Sequence, residues 1–263
     1  MQALGIFDSG LGGLTVCSAI RKVLPDENII YFGDTARVPY GPKSAKTIIR
    51  YAEQIAGFLL AKDVKAIIIA CNTATSYSLE ILRNKLNIPV LGVIQPGVDA
   101  ATRLTKNNKI GIIGTKATIN SGRYQELLKK RNPSLDILVK AAPMLVSIAE
   151  EGWQNHKITT DVIADYLDDI VRSGIDTLIL GCTHFPLFKN KIREIYPELN
   201  LVDSSLEVAR ETKQILLDKN LLNGKDTPVQ FQFYVSDITQ TFEDQVKNFF
   251  GSMIPSVEVI QFE

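Results

Sequence analysis

The sequence predicts an α/β fold: two similar open, mostly parallel sheets flanked by helices, related by a pseudo-two-fold axis, with the site in the cleft between them. Short apolar runs alternate with amphipathic segments along most of the 263 residues, which is typical of parallel sheets covered by helices on both faces. An apolar run that ends at Cys71 has a counterpart that ends at Cys182, 111 residues later (182 − 71). Two further pairs of segments match, residues 5–10 with 111–115 and residues 89–93 with 200–202. These matches predict a duplicated unit.

Each apolar run of the duplicated unit predicts one strand, and the runs cover residues 4–7, 28–32, 66–70, 90–94, 109–113, 135–139, 177–180 and 201–202. Amphipathic helices are predicted at residues 13–24, where Leu14, Cys17 and Ile20 share one face, and at residues 45–60. Because helices separate the strands, the connections are crossovers and the strands are parallel. On this face, Cys17 is predicted to belong to the core.

The last part of the chain has no counterpart in the repeat. It predicts a helix, a strand, a second helix and a second strand, at residues 206–218, 229–235, 239–250 and 257–262. A linker-like stretch is predicted at residues 223–228. We expect this tail to complete the first sheet. The predicted domains are therefore residues 1–95 plus 208–263, and residues 96–207.

Composition narrows the function classes. Lys and Arg total 29 and Asp and Glu total 29, so the formal net charge is zero and the sequence predicts no nucleic-acid partner. No basic block or apolar run of about 20 residues indicates membrane binding. The three cysteines and the absence of an export signal indicate free thiols and a cytoplasmic location.

The two cysteine motifs are the strongest candidates for chemistry. Each thiol lies between a predicted strand and polar residues that can begin a helix, a position that stabilises a thiolate. After Cys71, Asn72 and Thr73 either donate hydrogen bonds to a carboxylate ligand or cap the helix. After Cys182, His184 either lowers the pKa of the thiol or serves as a proton partner. The alternative is that each cysteine is a small apolar core residue.

The glycine-rich segment at residues 8–13 follows the first predicted strand. Together with Asp34 it is similar to part of a dinucleotide-binding fingerprint, but Thr15 replaces the third glycine. The alternatives are a tight turn capped by Asp8, or Asp8 and Ser9 facing a ligand. The sequence therefore leaves a nucleotide-dependent oxidoreductase as a competing interpretation.

Two further segments have both a structural and a functional interpretation. The polar loop at residues 32–42 is either a rigid surface loop or a ligand cradle around Tyr40 and Gly41. Taken alone, Glu150 and His156 are interpreted as solvated polar residues.

A papain-like pairing of Cys182 with His184 is excluded because the two residues are too close in sequence. The spacing of cysteines and histidines matches no zinc site, so no metal is predicted.

Six motifs together resemble the glutamate racemases of the Asp/Glu racemase superfamily. The resemblance runs in order from residue 5 to about residue 217, and the motifs lie at residues 8–13, 31–34, 38–41, 70–74, 181–186 and 202–204. The family implies two α/β domains, with the chain after about residue 207 returning to the first. It also implies glutamate as the substrate, a homodimer, and D-glutamate supply for bacterial peptidoglycan.

The resemblance also assigns roles to residues. It implies a cofactor-independent exchange of the Cα proton, in which Cys71 deprotonates D-glutamate and Cys182 deprotonates L-glutamate. Four further residues are implied to assist catalysis, namely Asp8, His184, Asp34 and Glu150. The implied substrate contacts are Asp8, Ser9, Tyr40, Gly41, Asn72, Thr73, Thr183 and His184. The alternatives are a racemase of a related amino acid such as aspartate, and a non-catalytic binder of a dicarboxylate.

Overall fold

The computed structural model describes residues 2–224, 228–238, 240–250 and 257–262. Residues 225–227 of the predicted linker and residue 239 of a predicted helix lie outside the described residues. The described first half of the chain contains four strands and three α-helices: β1 (Ala3–Asp8), α1 (Leu14–Val23), β2 (Ile29–Gly33), α2 (Ala45–Ala61), β3 (Val64–Ile69), α3 (Asn72–Lys85) and β4 (Val90–Gly92). A short 3-10 helix (Thr35–Arg37) lies between β2 and α2.

The second half repeats this alternation with additional helices. Its elements are α4 (Ile94–Leu104), β5 (Lys109–Gly114), α5 (Lys116–Asn120), α6 (Arg123–Arg131), β6 (Asp136–Ala141), α7 (Pro143–Glu150), α8 (Lys157–Arg172), β7 (Thr177–Gly181), α9 (Lys189–Ile195) and β8 (Asn200–Val202). The tail forms α10 (Ser204–Asp218), β9 (Phe231–Val235), α11 (Gln240–Phe250) and β10 (Val257–Val259).

The two sheets have the same strand order over their shared part. The first sheet is ordered β10-β9-β2-β1-β3-β4 and the second β6-β5-β7-β8, and the paired strands are parallel. The order β2-β1-β3-β4 therefore corresponds to β6-β5-β7-β8, which confirms the predicted duplication. The tail strands extend the first sheet beside β2. The predicted α/β fold with two parallel sheets is confirmed.

Burial on both faces explains the apolar runs of the first sheet. Along β1, Leu4 and Ile6 enter one core while Ala3 and Phe7 enter the other. A strand buried on both faces has no solvent side, so its sequence does not alternate. Cys17 is fully buried in the first of these cores, as predicted.

Helix α10 connects the second half to the first. It follows β8, and its residues Val208 and Leu216 are buried in the same core as Leu4 of β1. The domain bounds predicted from the sequence fall near the first turns of α4 and α10, and they stay a prediction. In the part of the chain that the structure describes, no helix combines the length and apolar character needed to cross a membrane.

A buried ion pair fixes the chain just after α10. Lys65 Nζ lies 2.6 Å from Glu27 Oε2, and their side chains are 3% and 1% exposed. The same ammonium group donates to the carbonyl of Leu221 at 2.5 Å and to Asn223 Oδ1 at 2.8 Å. The other Glu27 oxygen accepts the N–H of Asn223 at 2.8 Å. This network holds the segment that returns to the first sheet.

We expect Glu27→Gln to reduce the free energy of unfolding by about 3 kcal/mol, because it leaves the Lys65 charge buried without a counterion. Urea unfolding followed by circular dichroism measures this loss. The matched control is Glu53→Gln, since Glu53 pairs with Lys85 at the surface and exposed pairs contribute about 1 kcal/mol or less. Equal losses in the two variants would contradict the role of the buried network.

Candidate active site

A narrow cleft lies between the two sheets, at the carboxyl ends of their central strands. It is lined by Ser9, Val38, Pro39, Tyr40, Gly41, Cys71, Asn72, Thr73, Thr115, Val146, Cys182, Thr183 and His184. A larger groove of about 920 Å³ lies at the amino ends of the first sheet's strands. Ligands of open parallel sheets bind at the carboxyl ends, so the cleft is the candidate site.

Cys71 occupies the first half of the cleft, two residues after β3. It is the N-cap of α3, and its Sγ accepts the N–H of Ala74 at 3.4 Å and lies 3.7 Å from Ser9 Oγ. Burial, together with the nearby Asp8 charge, raises the pKa of Cys71 to about 12. The helix N–H lowers the pKa, as expected from the sequence, but burial outweighs it. The thiol is therefore neutral near pH 7.

Asp8 ends β1 beside Cys71 and is fully buried. Its Oδ2 accepts the N–H groups of Gly10 at 3.1 Å and Gly13 at 3.0 Å, which caps the glycine-rich turn. Its Oδ1 accepts the Thr183 hydroxyl at 3.3 Å and so reaches the second half. Burial raises the pKa of Asp8, and the His184 charge and these hydrogen bonds oppose that rise.

The glycines of this turn leave room for Asp8 and for a side chain from the second half of the cleft. A Cβ on Gly13 would lie 2.4 Å from Asp8 Cβ, and one on Gly12 would lie 2.5 Å from Thr183 Oγ1. The space at Gly12 is thus filled by a side chain of the opposite half. The glycines serve close packing at the cleft, which accounts for them without a nucleotide.

Cys182 occupies the second half of the cleft, directly after β7. Its Sγ lies 3.6 Å from His184 Nδ1, and His184 Nε2 lies 2.6 Å from Glu150 Oε1. The side chains of Cys182 and His184 therefore do face each other, so the sequence argument that they are too close along the chain to pair was wrong. Burial alone would lower the pKa of His184, but hydrogen bonds to Cys182 and Glu150, and their charges, raise it well above its usual value. The buried imidazole therefore holds a proton between Cys182 and Glu150.

Asp34 and Tyr40 form a buried pair behind the lining. The Tyr40 hydroxyl donates to Asp34 Oδ2, and both side chains are almost fully buried. Asp34 Oδ1 accepts Arg37 Nε at 2.8 Å and Ser236 Oγ at 2.8 Å. Asp34 therefore lies outside the cleft lining and fixes the loop that carries Tyr40 and Gly41 into it.

Three hydroxyl groups join the two halves beside the first thiol. Thr73 Oγ1 lies 2.9 Å from Thr115 Oγ1 and 3.1 Å from Thr118 Oγ1, which are themselves 3.0 Å apart. Gly41 belongs to the same contact, because its carbonyl accepts the N–H of Ala117 at 3.1 Å. Thr115 lines the cleft and was missed by the sequence interpretation. The repeat contains the signal, since Thr115 follows β5 as Ser9 follows β1.

The structure thus gathers the residues implied by the resemblance in two groups. Nine of them line the cleft: Ser9, Tyr40, Gly41, Cys71, Asn72, Thr73, Cys182, Thr183 and His184. The other three, Asp8, Asp34 and Glu150, each hydrogen-bond to a lining residue. By contrast, His156 lies outside this group and caps α8, where its Nδ1 accepts the N–H of Ile158 at 3.3 Å.

The arrangement suits proton transfer at one carbon atom. The two thiols enter the cleft from different sheets, and hydroxyl and amide groups between them can donate to a carboxylate. Among the described residues, no group of three His, Cys, Asp or Glu side chains is placed to hold a metal ion. The fold and the two-sided thiol site define the class of racemases that act by moving a proton across a carbon centre.

The chain belongs to the Asp/Glu/Hydantoin racemase family, whose sequence profile matches residues 14–212. It is 49% identical over 246 residues to a glutamate racemase of Sulfurihydrogenibium sp. (strain YO3AOP1), covering 93% of this chain and 92% of that one. These matches confirm the family predicted from the six motifs.

Solved structures agree with this assignment. A glutamate racemase isoform from Bacillus anthracis has a TM-score of 0.94 at 36% identity, covering 99% of this chain and 98% of that one. A glutamate racemase from Francisella tularensis subsp. tularensis SCHU S4, in complex with D-glutamate, has a TM-score of 0.92 at 39% identity, covering 99% and 97%. An aspartate racemase from Picrophilus torridus is similar in fold alone, with a TM-score of 0.57 at 18% identity over 81% of this chain and 94% of that one.

We expect Glu150→Gln to lower the pKa of His184, because the variant keeps a hydrogen-bond acceptor but loses the negative charge. Proton NMR titration of the imidazole measures the shift. The chain has two histidines, so a His156→Gln variant identifies the His184 resonance. An unchanged pKa in Glu150→Gln would show that Glu150 does not stabilise the imidazolium.

Glu150→Gln should also change how the free energy of unfolding depends on pH. A group whose pKa is raised by folding contributes its full stability below its unfolded pKa, about 6.5 for histidine. That stability is lost as the pH rises through the raised pKa of the folded state. The wild-type protein should therefore exceed Glu150→Gln in stability most below about pH 6.5, and the difference should shrink at higher pH.

Proposed function

We propose that this protein interconverts L-glutamate and D-glutamate without a cofactor, using Cys71 and Cys182 as the two acid–base groups. The observation that carries the proposal is the placement of two buried thiols after equivalent strands of the duplicated unit, in one cleft. The identity to glutamate racemases over nearly the whole chain supports glutamate as the substrate.

The proton balance requires one thiolate and one thiol. With L-glutamate bound, the Cys182 thiolate takes the Cα proton and the Cys71 thiol donates its own proton to the opposite face. The products are D-glutamate, a Cys182 thiol and a Cys71 thiolate, and the reverse reaction restores the starting state. Two fixed groups avoid the need for one base to cross the carbon.

Each thiol has a neighbouring group that exchanges a proton with it. Asp8 lies beside Cys71, and burial raises the pKa of its carboxyl, which brings that pKa closer to the pKa of the thiol. His184 lies 3.6 Å from Cys182 and is held by Glu150. We infer that Asp8 accepts the Cys71 proton before D-glutamate reacts, and that His184 exchanges a proton with Cys182 before L-glutamate reacts.

The carbanion formed at Cα needs stabilisation by hydrogen bonds to the α-carboxylate. Asn72 supplies amide donors and Thr73 a hydroxyl donor at the cleft surface, and the Thr183 hydroxyl becomes a third when it turns from Asp8 to the substrate. Burial of the cleft strengthens such bonds because little water competes for them. We propose that the two halves close further on the substrate, and that Ser9, Tyr40 and Gly41 complete its binding.

Three broader properties are proposed on the family resemblance. We infer that the protein acts as a homodimer, that it works in the cytoplasm, and that its D-glutamate enters peptidoglycan synthesis. The balanced charge supports a small-molecule substrate rather than a nucleic acid.

We expect Cys71→Ser and Cys182→Ser each to reduce racemisation by about a thousandfold or more, because a serine hydroxyl is a far weaker acid than a thiol. In deuterated water, Cys71→Ser should exchange the Cα proton of L-glutamate only, and Cys182→Ser that of D-glutamate only. Circular dichroism follows racemisation and NMR follows exchange.

Cys17→Ser is the matched control, because Cys17 is buried in the core outside the cleft. It should retain near-normal turnover if folded. Near-normal turnover of either cleft variant would refute the two-thiol mechanism, and exchange of the opposite enantiomer would reverse the assignment of the two faces. Loss of both racemisation and exchange in a folded wild-type protein would favour a non-catalytic dicarboxylate binder.

Substrate identity is tested separately. We expect kcat/KM for glutamate to exceed that for aspartate by at least about a hundredfold. The aspartate side chain is shorter by one methylene, so its carboxylate cannot reach hydrogen-bond donors placed for glutamate. Circular dichroism with matched concentrations of L-aspartate and L-glutamate measures the ratio. A preference for aspartate would leave the two-thiol chemistry in place and overturn the assigned substrate.

A further inference from the structure

Tyr124 is a buried aromatic residue that lies next to both cysteine motifs. It lies in α6 of the second half and is 1% exposed. Its hydroxyl donates to Asn72 Oδ1 at 2.7 Å. Asn72 directly follows Cys71 along the chain, so this bond crosses from one half of the molecule to the other.

The ring of Tyr124 packs beside the second thiol. A Cβ on Gly181, the residue before Cys182, would lie 3.3 Å from Tyr124 Cε2. A Cβ on Gly97 would lie 3.5 Å from the Tyr124 hydroxyl oxygen. The two glycines therefore give the ring a fixed place between α4 and the end of β7.

The hydrogen bond determines which end of the Asn72 amide faces the ligand. An asparagine amide has an acceptor oxygen on one side and two N–H donors on the other. The Tyr124 hydroxyl occupies the oxygen. The Asn72 amide nitrogen forms no hydrogen bond to another described residue, and Asn72 lines the cleft. The donors are therefore left for a carboxylate.

We propose that Tyr124 is a positioning residue that holds the Asn72 amide with its N–H groups toward the substrate carboxylate, and that it thereby couples the two thiol-bearing halves. The inference rests on the proposed function, because it assigns the carboxylate of a bound amino acid to Asn72. Without the hydroxyl, the amide can rotate and present its oxygen to the carboxylate, which repels it. Tyr124 acts through Asn72 and does not itself line the cleft.

Tyr124→Phe tests the proposal while preserving the ring packing. We expect kcat/KM to fall about 10-fold to 100-fold with both enantiomers, since the misoriented amide no longer donates to the developing negative charge. The split between kcat and KM is informative, because donors that act mainly in the transition state affect kcat more than KM.

Two comparisons separate positioning from a general structural effect. In an Asn72→Ala background, Tyr124→Phe should change kcat/KM by less than about twofold, because the group it positions is gone. The matched control is Tyr77→Phe. The Tyr77 hydroxyl also joins the two halves, because it donates to the carbonyl of Ala117 at 2.9 Å. Unlike the Tyr124 hydroxyl, it does not bond through that contact to a side chain that lines the cleft. It should keep near-normal kcat/KM.

A measurement on the wild-type protein covers the case in which Tyr124→Phe does not fold. The side-chain amide protons of Asn72, identified by their loss from the NMR spectrum of Asn72→Asp, should shift when glutamate saturates the site. No shift, additive losses in the double variant, or equal losses in Tyr77→Phe would each overturn the inference. An inactive wild-type protein would overturn the proposed function and the inference with it, whereas an active wild type with an equally active Tyr124→Phe would overturn the inference alone.

Discussion

The site depends on one constraint: equivalent strands of a duplicated unit end at the same cleft. Parallel strands bring their carboxyl ends to one edge of a sheet, and here the edges of two sheets meet. Because β3 and β7 are the corresponding strands, Cys71 and Cys182 enter the cleft from opposite sheets. Under the proposed function, a substrate carbon atom binds between them with a sulfur on each side, as inversion by two fixed groups requires.

Burial gives the site its acid–base character. It raises the pKa of Cys71 and of Asp8, so a charge on either group is costly until something offsets it. The N–H of Ala74 provides part of that compensation through the start of α3. The ammonium group of a ligand would add more, because a nearby positive charge lowers the pKa of a thiol.

The fold was largely predictable from the sequence, whereas the contacts across the cleft were not. Apolar runs and the repeated cysteine motifs predicted the strands, because both signals are local. The bonds from Thr183 to Asp8 and from His184 to Glu150 join residues 175 and 34 positions apart. No local pattern encodes such pairings, which is why Glu150 alone was interpreted as a solvated acid. Thr115 was overlooked although the repeat aligns it with Ser9.

The two halves place different titratable groups beside their cysteines, and the duplication explains why. β1 ends at Asp8, whereas β5, the corresponding strand, ends at Gly114. The second half therefore has no carboxylate on the strand beside its thiol. Its partner comes instead from the segment after Cys182, where His184 occupies the position that Thr73 holds after Cys71. The hydrogen bonds of this imidazole to Cys182 and to Glu150 on α7, and the charges of both groups, then raise the pKa of His184. The two equivalent cysteines thus face chemically unlike neighbours: Asp8 is anionic when ionised, and His184 is cationic when protonated.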